Sequence, residues 1–171
     1  MANSWHVWHK RVRIAETPVG KGVFALRSFR RGQVIGVIQG IVCHDPEYGS
    51  PNCMDLGENR SLEPIPPFRY LNHNCEPNAE MVMEQYPSGR RANQLLLEAA
   101  CDIAPNDEIT IDYAWRAEDT IPCLCGSAKC RGWIIAEEDQ HLLPPLSQVQ
   151  DFSSASAKAM VAQPLAAAEM N

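Results

Sequence analysis

The run Cys123-Leu124-Cys125-Gly126-Ser127-Ala128-Lys129-Cys130 constrains this chain more than any other stretch. Its Cys-x-Cys-x4-Cys pattern brings thiols closer together than ordinary core packing requires. A zinc ion takes four thiolate or imidazole ligands at tetrahedral corners. Gly126 allows the backbone to curl so that three sulfurs face one point. A fourth ligand must come from elsewhere, and Cys75, Cys101, Cys53 and His141 are the candidates. The seven cysteines are an odd number, and Met1 to Arg13 has no apolar run of the secretory kind. Both points favour a reduced, intracellular, soluble protein with a metal site over a disulfide framework. No address separates nucleus from cytoplasm. No apolar run is long enough to cross a membrane.

The 171 residues correspond to one domain with a tail. A net charge of -6 argues against direct nucleic-acid binding and suits a basic, lysine-containing peptide partner. Short strands are expected at Val12 to Ile14, Val23 to Phe29, Val34 to Val42, Ala79 to Gln85, Gln94 to Ala100 and Glu108 to Tyr113. Gly36 and Gly40 mark bends in the third, and residues 86–91 form a hairpin connection. In the last strand Ile109 and Ile111 share one face, with Thr110 on the other. The Pro- and Gly-rich residues 44–68 read as irregular loop with at most one helical turn. The chain is therefore mostly β. Beyond Asp139, Ser and Ala dominate, so the end of the chain is a flexible tail or a helix in Ser154 to Met170 interrupted at Pro164.

Three further elements carry chemistry. Arg69-Tyr70-Leu71-Asn72-His73-Asn74-Cys75-Glu76-Pro77-Asn78 is, alone, a polar loop with an incidental histidine or a ligand-binding box. Gly20-Lys21-Gly22 is a turn or a close backbone approach to a ligand, and lacks the third glycine of a dinucleotide fingerprint. Glu108 to Tyr113 is a strand ending in a phenol.

In this order and at these separations, the four elements resemble the SET-domain protein-lysine N-methyltransferases with a post-SET zinc-binding segment. The resemblance runs from about Val12 to Trp133. Gly20 to Gly22 match the Gly-x-Gly element, and Arg69 to Asn78 match the Arg-Phe-x-Asn-His-x-Cys-x-Pro-Asn box. Glu108 to Tyr113 match the Glu-x-x-x-Asp-Tyr element, and Cys123 to Trp133 match the post-SET segment. The resemblance implies a β-clip-like SET fold, with several small curved sheets around a knot-like core. Its parts are an extension (1–11), a SET domain (12–116), a post-SET zinc segment (117–135) and a tail (136–171).

It also implies S-adenosylmethionine as cofactor and methyl transfer to the ε-amino group of lysine in a histone or other protein. Tyr113 becomes the catalytic residue. Lys21, Gly22 and Val23 meet the cofactor through their backbone, and Asn72 and His73 hold it. Arg69 approaches its carboxylate or braces the box. Trp133 covers the adenine or serves as an apolar plug. Cys75 joins Cys123, Cys125 and Cys130 around a structural zinc, which leaves Cys43, Cys53 and Cys101 as buried thiols. Glu108 and Asp112 tie the crossing together rather than act in chemistry. A free lysine has a pKa of about 10.4, so a neutral amine at pH 7 costs roughly 4–5 kcal/mol; desolvation beside a sulfonium offsets part of that. Two departures stand out: Ile38-Gln39-Gly40-Ile41 lacks the family's channel tyrosine, and Asn74 replaces its box serine. The short insert between Gly40 and Arg69 leaves little protein for docking. These departures keep open a second reading, a SET module that binds a peptide or assembles a complex without catalysis.

Overall fold

The computed structural model describes residues 10–45, 48–85 and 91–146. Most ordered structure in them is strand, and the helical pieces are short 3₁₀ turns. Strands β1 (Val12–Thr17) and β2 (Gly20–Ala25) form a hairpin. Its turn is closed by the Thr17 hydroxyl, which donates to the Gly20 carbonyl at 3.0 Å, and by Gly20 itself at φ 116°. β2 also pairs antiparallel with β10 (Glu108–Ile111), and β10 pairs in parallel with the two-residue β7 (Asn72–His73). This four-stranded sheet, in the order β1-β2-β10-β7, carries three of the four sequence elements.

A second sheet has the order β3-β9-β8, from β3 (Val34–Ile38), β9 (Arg91–Ala99) and β8 (Ala79–Gln85). Val23, Ile35, Leu97 and Ile109 are fully buried between the sheets. The expected single strand from Val34 to Val42 is broken. β4 (Gly40–Cys43) leaves the sheet of β3 and pairs with β6 (Arg60–Pro64). A Cβ at position 40 would lie 2.1 Å from the Glu63 carbonyl oxygen, so the two chains approach this closely only through glycine.

Residues 44–68 hold more structure than expected. β5 (Met54–Gly57) and β6 form a hairpin that, with β4, makes a third sheet in the order β4-β6-β5. Its two-residue turn, Glu58-Asn59, has φ 56° at both positions, the signature of a type I′ turn. Met54, Leu56 and Leu62 are buried, so the strands are fixed by alternation. In β10 both faces are covered: Ile109 and Ile111 on one, and Thr110, 9% exposed, on the other. The connection at 86–90, residues 1–9 of the expected extension and the segment from residue 147 onward lie outside the described residues. The start of the expected tail is structured. Glu137–Leu142 is a 3₁₀ helix, the Ala136 amide donates to Trp115 O at 2.9 Å, and Leu146 packs beside Gly132.

Candidate active site and metal centre

The parallel pairing of β7 with β10 aligns Thr110 with Asn72 and Ile111 with His73. Asn78 splices the same segments. Its amide donates to Glu108 O at 2.8 Å, and its side-chain oxygen accepts from the Thr110 amide at 2.9 Å. Just past β10 the chain turns through Ala114 at φ 46°, and the Ala114 amide donates to Asp112 Oδ1 at 3.0 Å. Tyr113 is thereby folded back over the box. Its hydroxyl donates to Leu71 O at 2.7 Å, and its amide donates to His73 Nδ1 at 3.2 Å. Burial, reinforced by the negative charge of Glu108, pushes the phenol up to about 12. Beside Tyr113 lies a cavity of about 40 Å³, lined among others by Cys53, Phe68, Met81, Ile111 and Trp115. Ile38 is buried in the core and supplies no group to that lining.

Asn72 reaches toward the glycine element. Its Nδ2 donates to Lys21 O at 3.1 Å and to Glu108 Oε1 at 2.7 Å. A Cβ on Gly22 would sit 2.5 Å from Glu108 Oε1 and 3.2 Å from Asn72 Nδ2, so glycine is required where these groups converge. The Lys21 ammonium lies 5.2 Å from the centre of the Tyr70 ring. Val23 is fully buried and paired with Ile14 and Ile109, so its side chain belongs to the core. Arg69 forms an ion pair with Glu63 and donates to Pro64 O.

His73 joins this site to the sulfurs. Its Nδ1 accepts from the Tyr113 amide, so the proton sits on Nε2, 3.3 Å from Cys75 Sγ. Burial, with the Arg131 charge adding to it, brings this histidine down to about 4 against the pull of Asp112, so the ring is neutral. The sulfurs of Cys75, Cys123, Cys125 and Cys130 lie within 4.8 Å of one another. Cys75 Sγ and Cys123 Sγ are 3.7 Å apart. Zinc–sulfur bonds of about 2.3 Å at tetrahedral angles give an edge of about 3.8 Å, so the cage suits such an ion.

Cys75 is thus the fourth sulfur among the described residues. Cys53 lines the cavity, Cys101 is exposed rather than buried, and His141 Nδ1 donates to Glu138 O at 2.8 Å. Burial raises the thiols of Cys75 and Cys123. Burial acts in the same sense on Cys125, but hydrogen bonds at Cys75, Ser127, Cys123 and Cys130 outweigh it and bring that thiol to about 7. Glu76 clamps the cage from outside, pairing with Lys129 Nζ at 2.9 Å and accepting from the Ser127 hydroxyl at 2.5 Å.

Arg131 is a residue the sequence reading passed over. Its amide donates to Cys75 Sγ at 3.4 Å, and its Nη2 pairs with Asp112 Oδ1 at 2.6 Å. Trp133 faces a different space. Its indole N–H donates to Pro144 O at 2.9 Å, and it lines a cleft of about 490 Å³ with Arg131, Glu137, Gln140 and His141.

Small sheets joined by a parallel strand crossing, with an asparagine–histidine box beside a half-buried phenol, define the class of the molecule. The sequence profile of the SET domain matches residues 20–114, more than half of the chain, and the chain belongs to that family. The histone-lysine N-methyltransferase, H3 lysine-4 specific, of Chaetomium globosum is 39% identical over 70 residues, covering 39% of this chain. The human histone-lysine N-methyltransferase SETD1B is 40% identical over 65 residues, covering 37% of this chain. The chain spans only 6% and 3% of those proteins, respectively. Among solved structures, KRYPTONITE in complex with mCHH DNA, an H3(1-15) peptide and SAH superposes with a TM-score of 0.57. It is 20% identical, over 67% of this chain and 27% of that one. A candidate histone methyltransferase of Plasmodium falciparum superposes with a TM-score of 0.51 at 22% identity, over 63% of this chain and 96% of that one. Both likenesses describe the fold.

Proposed function

We propose that this SET domain transfers a methyl group to the ε-amino group of a lysine in a protein, with histone H3 the first substrate to try. The names of the sequence relatives motivate that choice. One observation carries the proposal: the Tyr113 hydroxyl is held on Leu71 O at the wall of a small cavity, while Asn72 from the same box contacts Lys21 O. The box thus ties two segments distant in sequence, a phenol at the cavity wall through Leu71 and the glycine element through Asn72.

S-adenosylmethionine, when bound, supplies the electrophilic methyl group. The chain's own groups divide the remaining work. The backbone of Lys21 and Gly22, with Asn72 and His73, would hold the cofactor. Val23 keeps the strand in register from the core. Tyr113 would orient the amine, and its protonated state suits it to directing hydrogen bonds rather than removing a proton. Apolar walls at Phe68, Met81 and Trp115 would lower the polarity around a bound amine, which favours its uncharged form. Alignment of nucleophile and methyl is the larger contribution, because positioning can supply several kcal/mol. Trp133 would close the cofactor side from its cleft, and Arg69 would act through Glu63.

The sulfur cage would hold a structural zinc, with all four positions filled and none left for water. Residues 12–116 would then be the catalytic unit and 117–135 its zinc-bound wall. The loss-of-catalysis reading has Ile38, in place of the channel tyrosine, as its best support.

The test is transfer of radiolabelled methyl from S-adenosylmethionine to recombinant histone H3 and to a lysine-rich protein extract, beside Tyr113→Phe. Label on protein that disappears in the variant is expected, with about one zinc per chain by metal analysis. Tight S-adenosylhomocysteine binding without transfer to any protein would instead favour the binding module.

A further inference from the structure

The wall of the Tyr113 cavity opposite the box is a loop with little regular structure, and a single carboxylate organises it. Glu63 on β6 is 17% exposed at its side chain. It accepts from the Tyr48 hydroxyl at 3.1 Å and from the Ser50 hydroxyl at 2.5 Å, and it pairs with Arg69. The first two donors belong to the loop before β5. The third belongs to the 3₁₀ turn Phe68–Tyr70, which leads into the box. Ser50 extends the arrangement: the Asn52 amide donates to its hydroxyl at 3.2 Å, and its own amide donates to Cys53 Sγ at 3.4 Å. Pro51, Asn52, Cys53 and Met54, the residues so ordered, line the cavity together with Arg69 and Tyr113.

We propose that Glu63 is a positioning residue that fastens the loop 48–54 to Arg69 and so sets the wall of the cavity that receives the substrate side chain. The proposal deepens the lysine-channel reading and rests on it for its kinetic consequence only. The chemistry supports a charged hub. Burial acts to raise the Glu63 carboxyl, but its bonds from Ser50, Arg69 and Tyr48 outweigh burial and hold it below the ordinary carboxylate range. A carboxylate with several lone pairs can accept all three donors at once, which no neutral side chain of that size can do. Losing it leaves Arg69 without its carboxylate partner and frees two hydroxyls, so the loop and the turn part company. Met54 remains buried at the start of β5, so the loosening is confined to the residues before it.

Cys53 reports on the wall directly, with no methyl transfer involved. The folded protein is treated with iodoacetamide, and alkylation at Cys53 is followed by peptide mass spectrometry against exposed Cys101 as an internal reference. In Glu63→Ala the ratio of the Cys53 to the Cys101 rate should rise at least tenfold. In Ser50→Ala and Tyr48→Phe, which each remove one donor and leave Arg69 paired, it should rise severalfold. An unchanged ratio in all three variants overturns the proposal. A ratio that rises only together with a collapse of the melting temperature also overturns it, since that describes general unfolding.

With histone H3 as substrate, KM for the protein should rise at least fivefold in Ser50→Ala, with S-adenosylhomocysteine affinity unchanged. Equal losses in both would assign Glu63 to the fold as a whole. If no variant, nor the parent, methylates histone H3, only the lysine-channel reading suffers, and the alkylation ratio still decides the role of Glu63.

Discussion

Replacing Arg131 should cost more than its one ion pair accounts for. Its side chain is 10% exposed and that of Asp112 29%, at a separation of 2.6 Å. Exposed pairs contribute about 0–1 kcal/mol, whereas removing one partner of a fully buried pair costs about 3–5 kcal/mol. A half-sheltered pair falls between, so a double-mutant cycle of Arg131→Met and Asp112→Asn should return a coupling energy of about 1.5–2.5 kcal/mol. Asn at 112 keeps an oxygen for the Ala114 amide, so the cycle isolates the charge.

The asymmetry between the single variants is the sharper test. The positive charge of Arg131 also acts on Cys75 and Cys123, and a zinc ion with four thiolates carries a net negative charge. Arg131→Met should therefore be the more damaging single change, and it should weaken zinc retention, while Asp112→Asn should not. Urea denaturation of the zinc-loaded protein reads the energies, and competition with a chromogenic chelator reads the metal. A coupling energy under about 0.5 kcal/mol, together with equal zinc retention in the two variants, would refute the reasoning.

Gly22→Ala places a methyl group against Glu108 Oε1 and the Thr17 methyl, at 2.5 and 2.7 Å. Overpacking of this kind costs about 1–3 kcal/mol by denaturation, and calorimetry should show S-adenosylhomocysteine binding at least tenfold weaker. Tyr113 has its folded value raised from 10.0 to about 12. Its contribution to stability is therefore complete below pH 10 and is lost as the pH rises toward about 12. The stability gap between the parent and Tyr113→Phe should be flat from neutral pH to near pH 10 and shrink above it; a gap that narrows from pH 8 upward would contradict this.

The legible parts of the sequence were those with local chemistry. Three cage cysteines are neighbours in the chain, so their spacing alone points to a cluster able to hold a metal. The fourth, Cys75, lies 48 positions from Cys123, and only resemblance selected it from four candidates. The β5–β6 hairpin escaped notice although Met54, Leu56 and Leu62 alternate correctly. Its turn uses Glu58-Asn59, two residues with positive φ that lack the usual Asn-Gly signal, and prolines flank it. Glu63 and Arg131 look like surface charges in the sequence, because their partners come from other segments of the chain. The resemblance alone gives Trp133 a role, and its bond to Pro144 depends on a stretch whose composition reads as tail.

The strand β7 has two residues, and its pairing waits for β10 to be made. Its neighbour Cys75 must then wait for Cys123 to Cys130. Closing contacts over such separations is slow, because chain entropy is lost before any bond is gained. Closure of the sulfur cluster over the box should thus be the final folding event, and one that depends on metal supply if the cluster holds zinc. A ribosome stalled before Cys123 would display a box and a phenol with no sulfur cage to secure them.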